Sequence, residues 1–527
     1  MTLLAIAVPL NIGYAQIAGL PPTAGLYALI LPAIIYALTV SSRQVVASPD
    51  AAAAALVASS IGGLAVAGSA SYISMALAQA IICGVLFVLA SFLKLGFLAN
   101  FLSKPILIGF VGGLALDILI SQLAKMLGVK IDSGGEFVDK LLGLITGLPA
   151  SNGWSLLISG SSVALLLIGR RAARAAPWAL VVLVASTIAV STSGLEKLGV
   201  AVLGRVEAGP PELTWPVLDW VTWLALIPSG IALTMVAMAE GLLIARSYGE
   251  KNGYETRPNR DLLAFGLGNI AAGASGGFSI GSSTSRTAAM DQAGSRTQLP
   301  TMVTAIGTLA LLLFGTALLE QIPSPAIGAI VAVAVVPLLG LREFRALWQQ
   351  DRFEFLIGVS CFLVTVLAGA IAGIVVAFVL ALVNLAKRAS YPAIDVLSGN
   401  DNPDSSLLAA APPGQDTAPG VVVIRLAAPL FFANGAVFSE AVKRAVTTTP
   451  DVRHVVLDLE AVTDIDVTGA EFLTALVRWL EDRSIVLSYS RPRPEIVRRL
   501  NKFDIVTADR LYPTNRAALR ALTRPAE

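Results

Sequence analysis

The sequence predicts an α-helical polytopic membrane protein with about fourteen spanning segments, followed by a C-terminal soluble α/β domain. Three observations lead there. The 527 residues are 55% hydrophobic and 14% charged, with a mean hydropathy of +0.76. Apolar runs that approach bilayer length recur up to about residue 390, separated by Gly and Pro turn signals. After Tyr391 the composition shifts to a Pro/Ser/Asp/Gly stretch and then to alternating strand-like and helix-like segments.

Hydropathy places spans at 3–20, 24–40, 50–66, 72–94, 105–127, 154–170, 176–193, 220–246, 260–276, 285–297, 299–320, 324–340, 354–368 and 370–388. Gly369 alone divides the last pair. The first span begins almost at Met1, with neither a basic leader nor a small-residue cleavage site, so the chain is expected to start just ahead of its first membrane helix. With the N-terminus inside, about sixteen Lys and Arg residues fall on the inner side and about five on the outer. The inner set includes Arg43, Arg170, Arg246, Lys251, Arg342 and Arg388; the outer set is Lys125, Lys130, Lys140, Lys197 and Arg205. Both termini are therefore expected in the cytoplasm, in a bacterial inner membrane.

Composition also excludes chemistry. Cys83 and Cys361 lie in apolar spans and His454 is the only histidine, so a disulfide framework, a thiolate metal site and haem ligation find no support. Net charge is only +2, and no nucleic-acid partner is indicated. Neither an enzyme nor a bound cofactor is expected.

The boundaries expected are residues 1–390 for the membrane domain, 391–419 for a flexible linker and 420–527 for the soluble domain. In the last, Val421–Leu426, His454–Leu459 and Ile485–Tyr489 read as strands between helices near Val437, Ala470 and Pro494.

Two stretches break the membrane pattern. Arg43–Ala55 (RQVVASPDAAAAA) and Phe278–Met290 (FSIGSSTSRTAAM) each run from extended chain through small hydroxyl residues into a helix start. Ser48–Ala52 can be laid over Ser285–Ala289. Irregular backbone at membrane depth is tolerated only where it lines a cavity, so paired interrupted helices point to a transporter's central site. Helix N-termini present unsatisfied N–H groups and positive dipole ends, and two of them facing each other make an anion site. Arg286 adds a permanent charge with a planar donor fork. The candidate ligand groups are Asp50 and Ala51 at the first helix start, and Ser283, Ser285, Arg286 and Thr287 at the second. The bland alternative is that Arg286 pairs with Glu240 or a carbonyl while the hydroxyls cap helices.

Four acids lie within predicted spans, and each is a functional candidate by default. Asp50 also suits a helix cap, whereas Asp117 and Asp291 read as structural. Glu240 sits deep in a full-length span; balanced between burial and the charge of Arg286, it is the candidate coupling acid.

Several motifs, in order, resemble the sulfate permease (SulP) family of anion transporters. They are Tyr14–Pro22 (YAQIAGLPP), Ser121-Gln122-Leu123, Lys251–Tyr254 (KNGY) with Asn259 and Leu262, Gly268–Phe278 (GNIAAGASGGF) and Ser285–Leu299 (SRTAAMDQAGSRTQL). Ala428–Ala433 (APLFFA) and His454–Gly469 (HVVLDLEAVTDIDVTG) resemble that family's STAS domain. The resemblance implies two inverted seven-segment repeats forming core and gate domains, a substrate between segments 3 and 10, and elevator-like alternating access in a homodimer. It also draws Asn11 and Tyr14 of the first helix into the site, although Leu10 stands where the family has a polar residue after its proline. In the STAS loop Val467, not serine, follows Asp466; Asp466 and Thr468 are the candidate regulatory positions.

The expected function is secondary active transport of a small anion across the lipid bilayer, by symport with a coupling cation, H+ ahead of Na+. Sulfate comes first as substrate, then bicarbonate or a dicarboxylate. A nucleobase carrier of the same fold and a passive channel or exchanger are the rival readings, and the STAS domain is a site for a cytoplasmic partner.

Overall fold

A computed structural model describes residues 2–97, 104–131, 137–173, 177–204, 206, 208–292, 294–399, 409–506 and 508–523. The chain forms two compact units, Met1–Ala381 and Leu382–Glu527.

The first unit is helical. Its first half comprises α1 (Thr2–Ile17), α2 (Pro22–Tyr27), α3 (Leu31–Thr39), α4 (Ala51–Ile61), α5 (Ala70–Phe92), α6 (Lys104–Leu127), α7 (Phe137–Gly147), α8 (Gly153–Ala172) and α9 (Trp178–Ser193). Its second half comprises α10 (Trp220–Asn252), α11 (Pro258–Ala274), α12 (Thr284–Gln292), α13 (Leu299–Phe314), α14 (Thr316–Glu320), α15 (Ser324–Val335), α16 (Leu341–Gln350) and α17 (Arg352–Ser390), which runs on into the second unit. Helix starts follow local chemistry: Ser69, Asn152 and Asp219 cap α5, α8 and α10 through their side-chain oxygens, and prolines open α2, α11, α13 and α15.

Each of the fourteen predicted stretches holds helix. Six helical stretches among the described residues are long and apolar enough to cross a bilayer alone, and a seventh arises if the pair Phe137–Ala150 and Gly153–Gly169, bent by 115°, counts as one. Gly369, at φ 83° and ψ 171°, breaks α17 where the sequence places a boundary. The amphipathic α16 has no counterpart among the expected spans, because its charged face keeps hydropathy low.

Helices α5 and α11 pack closely because glycine removes side chains from their contact. A Cβ on Gly84 would stand 2.7 Å from Gly266 O, and one on Gly273 2.4 Å from Leu77 O. Between α3 and α4 lies a two-residue strand, β1 (Ala47–Ser48), and between α11 and α12 another, β2 (Gly281–Ser282).

The second unit is a five-stranded sheet in the order β3 (Ile394–Val396), β4 (Val421–Leu426), β5 (His454–Asp458), β6 (Val486–Ser490), β7 (Leu511–Tyr512), with α18 (Gly435–Thr448), α19 (Val467–Glu481), α20 (Pro494–Lys502) and α21 (Asn515–Leu522). β3 is antiparallel to β4 and the other pairs are parallel. Here the structure departs from the expected linker of 391–419. Ile394–Val396 is an edge strand, Leu397 is buried against Val421 and Val423, and Thr417 Oγ1 donates to Leu397 O and accepts from Val423 N. Residues 400–408 of that stretch lie outside the described residues. The polar, Pro-rich composition concealed a strand of only three residues.

At the carboxyl end of β5, Asp458 is fully buried and accepts from Arg425 Nε at 3.0 Å, Arg491 Nη2 at 2.5 Å and Asn515 Nδ2 at 3.1 Å. Burial pushes its carboxyl up, but donation from Arg491, Asn515 and Arg425 outweighs that and holds it below the ordinary carboxylate range.

Candidate functional site

The two interrupted stretches meet. β1 and β2 pair antiparallel, with Ala47 opposite Ser282 and Ser48 opposite Gly281. Ser283 N donates to Val46 O at 3.1 Å, extending the pairing by one rung. Each strand leads at once into a short helix, α4 or α12, so both helices begin beside the same four-residue ladder. Asp50 caps α4, its Oδ1 accepting from Ala53 N at 2.7 Å. Ser283 holds the matching place on α12, its Oγ accepting from Arg286 N at 3.4 Å. Asp50 therefore corresponds to Ser283 and Ala53 to Arg286, which corrects the overlay of Ser48–Ala52 on Ser285–Ala289. A run of small hydroxyl residues permits several overlays, and only the strand pairing selects one.

Arg286 is fully buried. Its Nη2 donates to Pro49 O at 2.5 Å, and its guanidinium carbon stands 5.7 Å from the centre of the Tyr14 ring. Among the described residues Nε and Nη1 have no partner, nor do the buried hydroxyls of Ser48 and Ser282. Buried donors without partners are costly, so the two free nitrogens of this guanidinium make it the candidate group of the site.

The remaining predicted residues divide. Thr287 Oγ1 accepts from Val46 N at 3.1 Å, which ties α12 to β1. Ala51 opens α4, and the Asp50 carboxylate lies so close to Gly281 that a Cβ there would meet Oδ2 at 2.2 Å. Asn11 is buried in α1, donating to Ala7 O at 2.8 Å with Oδ1 unpartnered. Ser285 falls in the first turn of α12, its side chain outside the described residues. Glu240 is half-buried on α10, which packs against α4 and β2. No ion pair joins Glu240 and Arg286 among the described residues: the one hydrogen bond of the fork there goes to Pro49 O, and the Tyr14 ring lies beside it.

Asp117 pairs with Lys140 at 2.8 Å, and Asp291 with Lys251 at 2.6 Å, as structural acids do. In the second unit Asp466 caps α19, accepting from Gly469 N at 2.6 Å and Phe432 N at 3.1 Å, while Thr468 is half-exposed one residue into the helix.

Sequence reasoning assigned no role to the residues that hold the ladder. Asn269 Oδ1 accepts from Ile280 N at 2.9 Å and Ser279 Oγ at 2.8 Å, and its Nδ2 donates to Ile280 O at 3.0 Å. On the other side Gln298 Nε2 donates to Ser42 O at 3.0 Å and Val45 O at 2.9 Å, and Tyr254 OH donates to Gln44 Oε1 at 2.5 Å. All three lie in motifs quoted above, where lone polar residues beside Gly-rich apolar stretches were the available signal.

Comparison with known proteins supplies the rest. The family model described as the sulfate permease family matches residues 1–361, more than half of the chain. The chain belongs to the sulfate permease family. The STAS domain model matches residues 415–518. A probable sulfate transporter of Mycobacterium tuberculosis strain H37Rv is 32% identical, over 99% of this chain and 94% of its own. Sulfate transporter 3.1 of Arabidopsis thaliana is 26% identical, over 95% and 80%. Among solved structures, SLC26A9 aligns with a TM-score of 0.89 at 20% identity, covering 99% of this chain and 89% of that one. The transmembrane domain of the cyanobacterial bicarbonate transporter BicA aligns with a TM-score of 0.63 at 24% identity, covering 71% and 94%. At those identities the likeness is one of fold. This member of the sulfate permease family is thus a multi-pass membrane transporter, not an enzyme, and carries a C-terminal STAS domain.

Proposed function

We propose that this sulfate permease family member is a secondary active carrier of a small anion, sulfate before bicarbonate or a dicarboxylate, in a bacterial inner membrane with both termini cytoplasmic. The reading rests on the Arg286 fork, with Nε and Nη1 buried and unpartnered between the starts of α4 and α12. The anion takes those two donors together with the Ser48 and Ser282 hydroxyls and the N–H groups opening at Ala51, while Ser283, Ser285 and Thr287 shape the second helix start and Asn11 and Tyr14 close the α1 side. The names of the relatives support sulfate as the first substrate to test.

Glu240 carries the coupling proton, and Asp50 is the acid through which it senses the occupied site, since α10 packs against α4 and β2. Residues 1–390 act as the transport domain, with fourteen segments in two inverted repeats of seven moving as core against gate in a homodimer. The pairing of β1 with β2, and of cap Asp50 with cap Ser283, supports the inverted repeat. The STAS domain regulates this movement through a cytoplasmic partner, with Asp466 and Thr468 on the loop that partner meets.

A nucleobase carrier is the weaker reading, because a buried guanidinium with two unpartnered nitrogens suits an anion better than a neutral base. The experiment is uptake of sulfate, bicarbonate, nitrate, fumarate and succinate into proteoliposomes with and without an inward proton gradient. Saturable, gradient-driven sulfate accumulation with counterflow is expected. Uptake that neither saturates nor exchanges would make the protein a channel and overturn the reading.

A further inference from the structure

Away from the ladder, α6 places a second unsatisfied polar group inside the membrane unit. Gln122 is fully buried and, among the described residues, neither Nε2 nor Oε1 has a partner. It lines a narrow cleft, with room for little more than a water molecule, between α1, α4, α6 and α7. One turn further along the same face of α6, Lys125 also lines the cleft, and its Nζ donates to Gln16 Oε1 at 3.2 Å. Lys125 has no ion pair among the described residues, because both oxygens of the one carboxylate in the cleft, Asp117, are taken by Lys140 Nζ at 3.0 and 2.8 Å. Two ammonium groups and one carboxylate leave a surplus of one positive charge, next to an amide with nothing to bond.

We propose that this cleft is a second anion site, a station for one halide-sized anion held by Gln122 Nε2 and Lys125 Nζ. The size follows from the cleft, which Ala55 and Ala58 of α4 help to line and whose small volume has no space for a tetrahedral oxyanion. The same walls tie the station to the central site. Gln16 follows two residues after Tyr14, whose ring carries the Arg286 guanidinium, and α4 is the helix capped by Asp50. An ion in the cleft therefore touches the continuation of both elements that hold the transported anion, and its occupancy sets how readily α4 and α6 separate. The station is independent of which anion the central site carries.

The test uses the full-length protein and sodium bromide. In bromide-soaked crystals an anomalous peak is expected between Gln122 Nε2 and Lys125 Nζ; an ordered water alone in that position overturns the proposal. In titrations, Lys125→Gln keeps a hydrogen-bonding partner for Gln16 but drops the charge, and Gln122→Leu removes the amide. Each should weaken bromide binding about tenfold or more and leave sulfate binding unchanged. Arg286→Ala should do the reverse. Bromide binding that ignores Lys125→Gln, or that is lost only with Arg286→Ala, overturns the cleft site. Sulfate binding that ignores Arg286→Ala would instead sink the central-site reading and leave this one standing. Should Gln122→Leu fail to fold, Lys125→Gln and the bromide density decide together.

Discussion

The guanidinium of Arg286 donates to the carbonyl oxygen of Pro49 at 2.5 Å, across 237 residues of sequence. That bond joins the second half-helix to the residue just before the cap of the first. It uses one arm of the fork and leaves Nε and Nη1 buried and without a partner among the described residues.

Replacing Arg286 with alanine removes its buried guanidinium from the ladder and should weaken anion binding by about 2–5 kcal/mol, well over tenfold in Kd. Arg286→Lys should recover part of the loss, since it restores charge but not the planar fork. Equilibrium binding of labelled sulfate to purified protein measures both. Affinity equal to that of the parent in the alanine variant removes Arg286 from the site.

Glu240→Gln keeps size and hydrogen bonding but fixes the neutral state. Net uptake should then stop responding to an inward proton gradient, while sulfate counterflow at symmetric pH continues. No ion pair joins Glu240 to Arg286 among the described residues, so the substitution strands no cation and the variant should fold. Gradient-driven accumulation as large as in the parent transfers the coupling role to Asp50.

Asn269 satisfies both backbone groups of Ile280, immediately before β2. Asn269→Leu strands a buried N–H and C=O, and should cost about 1–3 kcal/mol of stability while also loosening the anion site. Thermal unfolding alongside sulfate binding checks this. A variant unchanged in both measurements would show that the β1–β2 ladder holds without its side-chain clasp.

The STAS domain should fold as a fragment from residue 391, and less stably from residue 420. The shorter fragment lacks β3 and Leu397, leaving β4 an open edge and uncovering Val421 and Val423. The loss should be on the order of 3 kcal/mol, from a few half-buried and buried aliphatic side chains. Urea unfolding of the two fragments decides it, and equal midpoints would show that the strand contributes nothing.

How much the sequence determined depends on the range over which its signals act. Hydropathy is a local sum, so helices fell where apolar runs predicted them, down to the break at Gly369. The hydroxyl-rich interruptions and Arg286 were visible for the same reason, since polar residues at membrane depth stand out against their neighbours. Recurrent motifs carried the family, and the family model matched. The partners of those polar groups were decided only in three dimensions. The strand of Ala47–Ser48 is two residues long and exists because Gly281–Ser282 comes from the other half of the chain to complete it. That pairing set Asp50 against Ser283 and put Pro49 under Arg286. In the same way β3 exists only by lying against β4, and nothing in the local composition of the expected linker encodes it. Local propensity writes helices into a sequence because each turn satisfies its own backbone, whereas a two-residue strand satisfies none of its own and must be supplied by the fold.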